Sequence, residues 1–336
     1  MRKAVRWAIW PAVLALLIWA VRGIDWSDVA QRLAAIQAWQ WLVLLALNSA
    51  IVLVFSGRWW AILRGMGQHP GPLWISAIRL AGFAVSYFTP GSQFGGEPLQ
   101  IDLLHRRHAV PISSAVASVT LDKALEVLGN ATFLALGLVV MVRLRWLDSR
   151  QAALPGLVAG LLLALPLGLL LAWWAGRRPL TRLTRWAARH AETRWPASTP
   201  LQHGVQAFEV QAGGFCRQQP WHLTLAMGFS LLSWIAIVLE FWLMLWFLGA
   251  GLRPEETVAV VTASRVAQLI PIPAALGALE ASQIFALQAL GYPATLAVSL
   301  TLLIRLRDLL FGGLGLILAA RWTRQGIGGE RPTRRD

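Results

Sequence analysis

The stretch PGSQFGGEP, residues 90–98, lies inside an otherwise apolar segment and constrains the fold more than any other part of the chain. Pro90 and Pro98 lack backbone donors, and Gly91, Gly95 and Gly96 lose more backbone entropy on ordering than other residues do, so a helix cannot run through. Hydrocarbon tolerates no unpaired backbone, so a break at membrane depth must be buried in protein or line a polar cavity. A second break of the same kind occurs at 270–280, IPIPAALGALE. These two interruptions are expected to be the working part of the molecule.

The surrounding sequence is that of an all-α polytopic membrane protein. It is 57% hydrophobic and only 14% charged, and several runs exceed the roughly 18 apolar residues that a spanning helix needs. Tryptophans such as Trp7, Trp10, Trp41, Trp59, Trp60, Trp173, Trp174, Trp221 and Trp322 stand at the ends of apolar runs, where amphipathic rings anchor at headgroup level. A net charge of +14 raises nucleic acid as a partner, but most arginines fall in short loops on one side of the membrane and no basic stripe interleaved with aromatics marks a soluble binding module. No nucleic-acid role is expected. The lone Cys216 allows no internal disulfide. The N-terminus resembles a signal peptide in charge and length, but lacks a small-residue cleavage site before Arg22 and Gly23 and is read as a span.

About six spans are expected, near 5–21, 39–56, 111–142, 153–175, 221–248 and 293–321. Residues 25–37 suit an interfacial helix capped by Asp25 or Ser27, and the second span returns to the cytoplasm at Arg58 and Arg64. The apolar segment 73–89, the first break and the short helix 98–107 form a re-entrant pair, with Pro98 suited to a first helical turn. The segments 255–270 and 280–291 form a second. Residues 176–220, with Arg177, Arg178, Arg182, Arg185, Arg189, Arg194 and Arg217, are either an amphipathic helix on anionic headgroups or a solvated basic linker. The whole of 1–320 is read as one transmembrane domain with a basic tail, 321–336, and both termini in the cytoplasm of a bacterial inner-membrane protein.

The two breaks repeat one pattern. Pro90 and Glu97 recur as Pro273 and Glu280, Pro111 as Pro293, and the pair Lys123 and Glu126 as Arg305 and Asp308, at offsets of 183, 183, 182 and 182 residues. The copies, about 39–142 and 221–320, are separated by an odd number of crossings. This implies inverted-topology repeats of the kind whose broken helices meet near the midplane in transporters.

The candidate substrate-binding residues follow from cost. Glu97 and Glu280 stand at the starts of short helices, where a carboxylate serves either as a cap or as a buried acid that pairs with a cation or carries a proton. Lys123, Arg305 and Arg307 lie well inside long spans beside Asp122, Glu126 and Asp308, and the i, i+3 spacing lets Lys123 pair with Glu126 and Arg305 with Asp308. Such pairs are either structural or part of a phosphate site, an arginine binding bidentately and a lysine as a point charge. Gly95 and Gly96 would bring main-chain donors to the same anion. Arg79 and Arg265, each upstream of a break, are further candidates, and Glu240 is a lone acid available to Arg265 or Lys123. His105 and His108 flank two arginines with Asp102 as the only nearby acid, a poor metal site. No nucleophile–base constellation or phosphate-cradling loop is present, so neither an enzyme nor a cofactor is expected.

Residues 87–126, YFTPGSQFGGEPLQIDLLHRRHAVPISSAVASVTLDKALE, and 270–308, IPIPAALGALEASQIFALQALGYPATLAVSLTLLIRLRD, resemble the flippase-like family related to the transmembrane part of lysylphosphatidylglycerol synthase, the multiple peptide resistance factor. The shared pattern is Pro-Gly, Gly-Glu, a short helix, a turn and a span with a basic residue and an acid. The second copy departs from it, with Ala274 where the family often has glycine and Ala278 and Leu279 before the acid. The resemblance covers most of 40–320, the membrane part of the larger relatives without their aminoacyl-transferase region, and implies lipid translocation rather than lipid synthesis. An anionic phospholipid or polyprenyl phosphate moved by alternating access is the leading expectation. The alternatives are a non-transporting partner that presents lipid to a glycosyl- or aminoacyl-transferase, and a proton-coupled small-solute carrier. Membrane lipids are the expected partners, with a lipid-modifying enzyme as a further one. Substrate, direction, energy coupling and oligomeric state are not specified by these residues.

Overall fold

A computed structural model describes residues 23–89, 95–146, 153–190, 198–270 and 272–327. The expected first span, the centre of the first break at 90–94 and the tail from 328 lie outside the described residues. What is described is helical, with no strand: α1 Trp26–Ala34, α2 Ala38–Gly65, α3 Pro72–Phe88, α4 Glu97–His108, α5 Ile112–Arg143, α6 Ala153–Trp174, α7 Pro179–His190, α8 Ser198–Gln218, α9 Pro220–Phe247, α10 Pro254–Gln268, a 3-10 turn Pro273–Ala275, α11 Ala278–Ala289 and α12 Ala294–Ile327.

Helix lengths sort these elements. Among the described residues four helices are long and apolar enough to cross a membrane: Ala38–Gly65, Ile112–Arg143, Ala153–Trp174 and Pro220–Phe247. Helix α12 has 34 residues but carries Arg305, Arg307 and Asp308 near its middle, which sets it apart from the other long helices. Helices α3, α4, α10 and α11 have 17, 12, 15 and 12 residues. At about 1.5 Å per residue the longest reaches roughly 26 Å, short of a hydrocarbon core of about 30 Å. The second expected span proves longer than 39–56, because α2 continues to Gly65 and carries Arg58 within it. The starts of α9, α10 and α12 lie 182 residues after those of α2, α3 and α5.

Helix α1 starts where Asp25 accepts hydrogen bonds from the Ser27 amide at 2.9 Å and the Asp28 amide at 3.4 Å, meeting two donors that a helix start leaves open. The Ser27 hydroxyl and these amides hold the Asp25 carboxyl below the usual carboxylate range.

The chain divides into two compact units. The first gathers the described residues of Met1–Ser49, Ala77–Gln100 and Val238–Asp336. In it α12 packs on α1 and α11, and α11 packs on α10. Gly315 of α12 lies against α3, where a β-carbon would sit 2.2 Å from the Leu80 carbonyl oxygen. The second unit, Ala50–Ser76 and Ile101–Ile237, has α5, α6 and α8 packed together and α7 laid on α8. Its core joins Ile62, Leu121, Leu125, Trp173, Phe208 and Phe215.

Residues 198–218 depart from the expected surface helix or solvated linker. Phe208, Ala212, Phe215 and Cys216 recur on one stripe of α8 and are buried in that core. The arginines nearby dominate the composition and hide this stripe.

The Gly315 contact is with main chain, which cannot yield as a flexible side chain would. Gly315→Ala is expected to lower stability by about 1–3 kcal/mol, read as a fall in melting temperature in detergent. Gly313→Ala, where a β-carbon meets open space, should leave it unchanged.

Candidate functional site

The second break is built around Arg305. Between α10 and α11 the chain turns through Ala274 and Ala275, at φ 51° and 49°, and Gly277 at φ 77°. The left-handed region costs an alanine roughly 1–2 kcal/mol, so the turn needs an external restraint. Arg305, reaching across from α12, supplies it. Its guanidinium donates to the Ala274 carbonyl, to the Ala275 carbonyl at 3.4 Å, to Glu280 Oε1 from Nη2 at 2.8 Å and from Nε at 3.2 Å, and to the Tyr87 hydroxyl at 3.4 Å. An arginine has five N–H donors, and these bonds engage them all. Glu280, only 8% exposed, also accepts from the Gly277 amide at 2.7 Å. The two readings of Glu280 therefore coincide: it caps α11 and neutralises a cation. Tyr87 stands three residues before Pro90, so the flank of the first break touches the residue that holds the second.

The first break closes by a different device. Gly95 has φ 139°, a conformation open to glycine, and its amide donates to Glu97 Oε2 at 2.7 Å. The Gly96 amide donates to the Ser86 hydroxyl at 2.9 Å. A β-carbon on Gly96 would lie 2.0 Å from the Gly82 carbonyl oxygen, so the chain folds directly back on α3. Gly95 and Gly96 thus have a close-packing role here, with their amide donors met by Glu97 and Ser86.

Two ion-pair clusters accompany the breaks. In the first unit Arg307 donates to Glu240 Oε1 at 2.7 Å and to Asp308 Oδ1 at 2.8–2.9 Å. In the second unit Lys123 donates to Glu126 at 2.9 Å, as its spacing predicts. Arg58 donates to Asp122 at 2.7 and 3.3 Å and to Glu126 at 3.4 Å.

Three expectations are corrected. Asp308 pairs with Arg307 and not with Arg305, because Glu280 and the break carbonyls draw the Arg305 side chain away from its own helix. Glu240 pairs with Arg307, not with Arg265 or Lys123; Arg265 donates to Gln268 at 3.1 Å. Arg58 does not mark a cytoplasmic loop but is a buried residue, 2% exposed. Arg79 is half-buried on α3. Asp102 pairs with Arg106, and among the described residues no group of three or more histidine, cysteine or acidic side chains could hold a metal.

Arg58 and Tyr87 were missed in the sequence. The signal for Arg58 was the repeat spacing itself: Glu240 lies 182 residues later, at the matching position of α9. The two helices carry opposite charges there, and each pairs with the long helix that follows its break.

This geometry belongs to a known membrane fold family. The family model for the lysylphosphatidylglycerol synthase TM region matches residues 5–315. The chain belongs to that family. A UPF0104 membrane protein of Methanocaldococcus jannaschii is 21% identical over 273 residues, covering 77% of each chain. No solved structure matches. This member of the lysylphosphatidylglycerol synthase transmembrane-region family is a multi-pass membrane protein, and the clusters above are its buried polar constellations.

Removing one partner of a buried pair strands the other charge, at a cost of about 3–5 kcal/mol. Arg58→Gln should therefore lower the melting temperature sharply. Arg58→Glu combined with Asp122→Arg, which installs the polarity of the Glu240–Arg307 pair, should recover at least half of that loss. Arg305→Lys keeps the charge but not the planar fork. It is expected to open the second break, seen as faster protease cleavage within 270–277 while the rest of the chain stays resistant.

Proposed function

We propose that this chain is a lipid flippase-type transporter that moves an anionic lipid headgroup across a bacterial inner membrane by alternating access. The observation that carries this reading is the Arg305 knot: a cation on a long membrane helix whose donors hold a broken-helix turn and its acid. Such arrangements are costly in hydrocarbon and cluster on substrate pathways. Membership of the lysylphosphatidylglycerol synthase transmembrane-region family supports the lipid class.

The proposed chemistry is acceptor exchange. A phosphate presents the same bidentate acceptor geometry to Arg305 as Glu280 does. Headgroup binding would displace Glu280 and release the carbonyls of Ala274 and Ala275, so that the break changes shape only when substrate arrives. Lys123, held by Glu126, would act likewise as a point charge, with Arg307 and Asp308 setting the local field. Glu97, Gly95 and Gly96 would open main-chain donors at the first break. Arg79 and Arg265, one before each break, would guide the headgroup inward.

The proposed topology pairs α3 with α4 and α10 with α11 as re-entrant hairpins of two inverted repeats. The lengths of these helices and the 182-residue recurrence of helix starts support it. Both termini are placed in the cytoplasm, following the basic loops.

The test is translocation of fluorescent phosphatidylglycerol by the purified chain in liposomes. Lys123→Gln and Arg305→Gln are each expected to slow it at least tenfold, with intact folding verified by gel filtration. Wild-type rates in both variants would overturn the binding roles. No lipid movement by the wild-type chain, together with co-purification of a lipid-modifying enzyme, would replace transport with lipid presentation.

A further inference from the structure

The strongest feature outside the ion clusters is α7, which follows α6 after a short turn. α6 is a candidate span ending at Trp174, where tryptophan marks the membrane interface. The start of α7 is locked. Glu209 of α8 is 2% exposed, and its carboxylate accepts from the Leu180 amide at 2.9 Å, the Thr181 amide at 2.8 Å and the Trp173 indole at 3.2 Å. A carboxylate here meets first-turn donors and suits the positive end of the helix dipole. Helix α8 is in turn packed on α5 and α6, so α7 is held at the end of the span rather than hanging from a loop.

The outer side of this locked helix has two kinds of residue. Leu183 and Trp186, three apart and so on one face, are 58% and 59% exposed, and Trp174 is 62% exposed. Arg177, Arg178, Arg182 and Arg185 are exposed beside them, and no acidic residue occurs from 153 to 190. Arginine with tryptophan and leucine on an amphipathic helix is the pattern of an interfacial element on anionic lipid. A protein partner fits less well, since three large apolar side chains fall far short of the ~20 residues that a standard interface uses on each side.

We infer that Trp174–Arg185 forms a fixed interfacial platform that recruits anionic phospholipid, with Leu183 and Trp186 seated among the acyl chains and the four arginines on the phosphates. Glu209 is its positioning residue. The platform goes beyond the translocation site, since it acts whether or not the chain moves lipid.

The test places a nitroxide on Leu183→Cys in the full chain. Cys216 is 1% exposed and should stay unlabelled, which the same labelling on the unsubstituted chain verifies. In vesicles of phosphatidylcholine with phosphatidylglycerol the label should be several-fold more accessible to oxygen than to a water-soluble nickel chelate. Arg182→Gln with Arg185→Gln, or vesicles of phosphatidylcholine alone, should shift it severalfold toward the chelate. Glu209→Gln should raise label mobility. If that variant misfolds, the Glu209-intact chain still decides the platform. A label that favours the chelate, or is shielded from both reagents by a protein neighbour, overturns the proposal. Equal depth in both vesicle types and in the arginine variant overturns the anionic recruitment.

Discussion

A guanidinium placed on a long membrane helix must have every donor met, and Arg305 meets that demand with the main chain of a broken helix. The carbonyls of Ala274 and Ala275, the carboxylate of Glu280 and the hydroxyl of Tyr87 converge on one planar group. Each partner is strained or costly without it. The alanines hold left-handed backbone, Glu280 is a buried acid, and the carbonyls of the turn have no helical donor. The interaction therefore sets the shape of the break and the charge state of its acid together.

The two breaks solve one steric problem by different chemistry. The first uses glycine, with Gly95 taking a φ that side chains resist and Gly96 laid on the Gly82 carbonyl. The second uses alanine restrained by an arginine from another helix. In both, a glutamate two or three residues ahead turns back to an amide of the break, Glu97 to Gly95 and Glu280 to Gly277. That shared cap makes the two sites comparable, and the differing restraint makes them unequal in what would release them. A tightly packed glycine contact yields only if helices part, whereas an arginine can exchange one anion for another.

Charge is distributed with similar economy. Arg58 faces Asp122 and Glu126, and Glu240 faces Arg307, at matching helix positions with reversed sign. Reversal is tolerated because an ion pair needs complementarity and not a particular donor. Glu209 applies the same rule away from these clusters, turning a buried acid into the anchor for an exposed basic helix.

Much of this was legible in the chain. The apolar runs determined an all-helical membrane protein, because only helices of that length satisfy their own backbone in hydrocarbon. Proline and glycine located both breaks, and the recurrence of Glu97, Lys123 and Glu126 at one spacing marked the repeated pattern. Local pairing rules found Lys123 with Glu126, which share a helix face. They failed for Asp308, Glu240 and Arg58, whose partners differ from what neighbourhood along one helix suggests. The stripe of α8 was hidden by the arginines around it. Composition and spacing thus settled which segments are helices, where they break and which charges must be buried. Only the tertiary structure decided which charges meet, because a guanidinium chooses among acceptors brought by separate helices, and their approach depends on contacts such as Gly96 on Gly82 and Gly315 on Leu80.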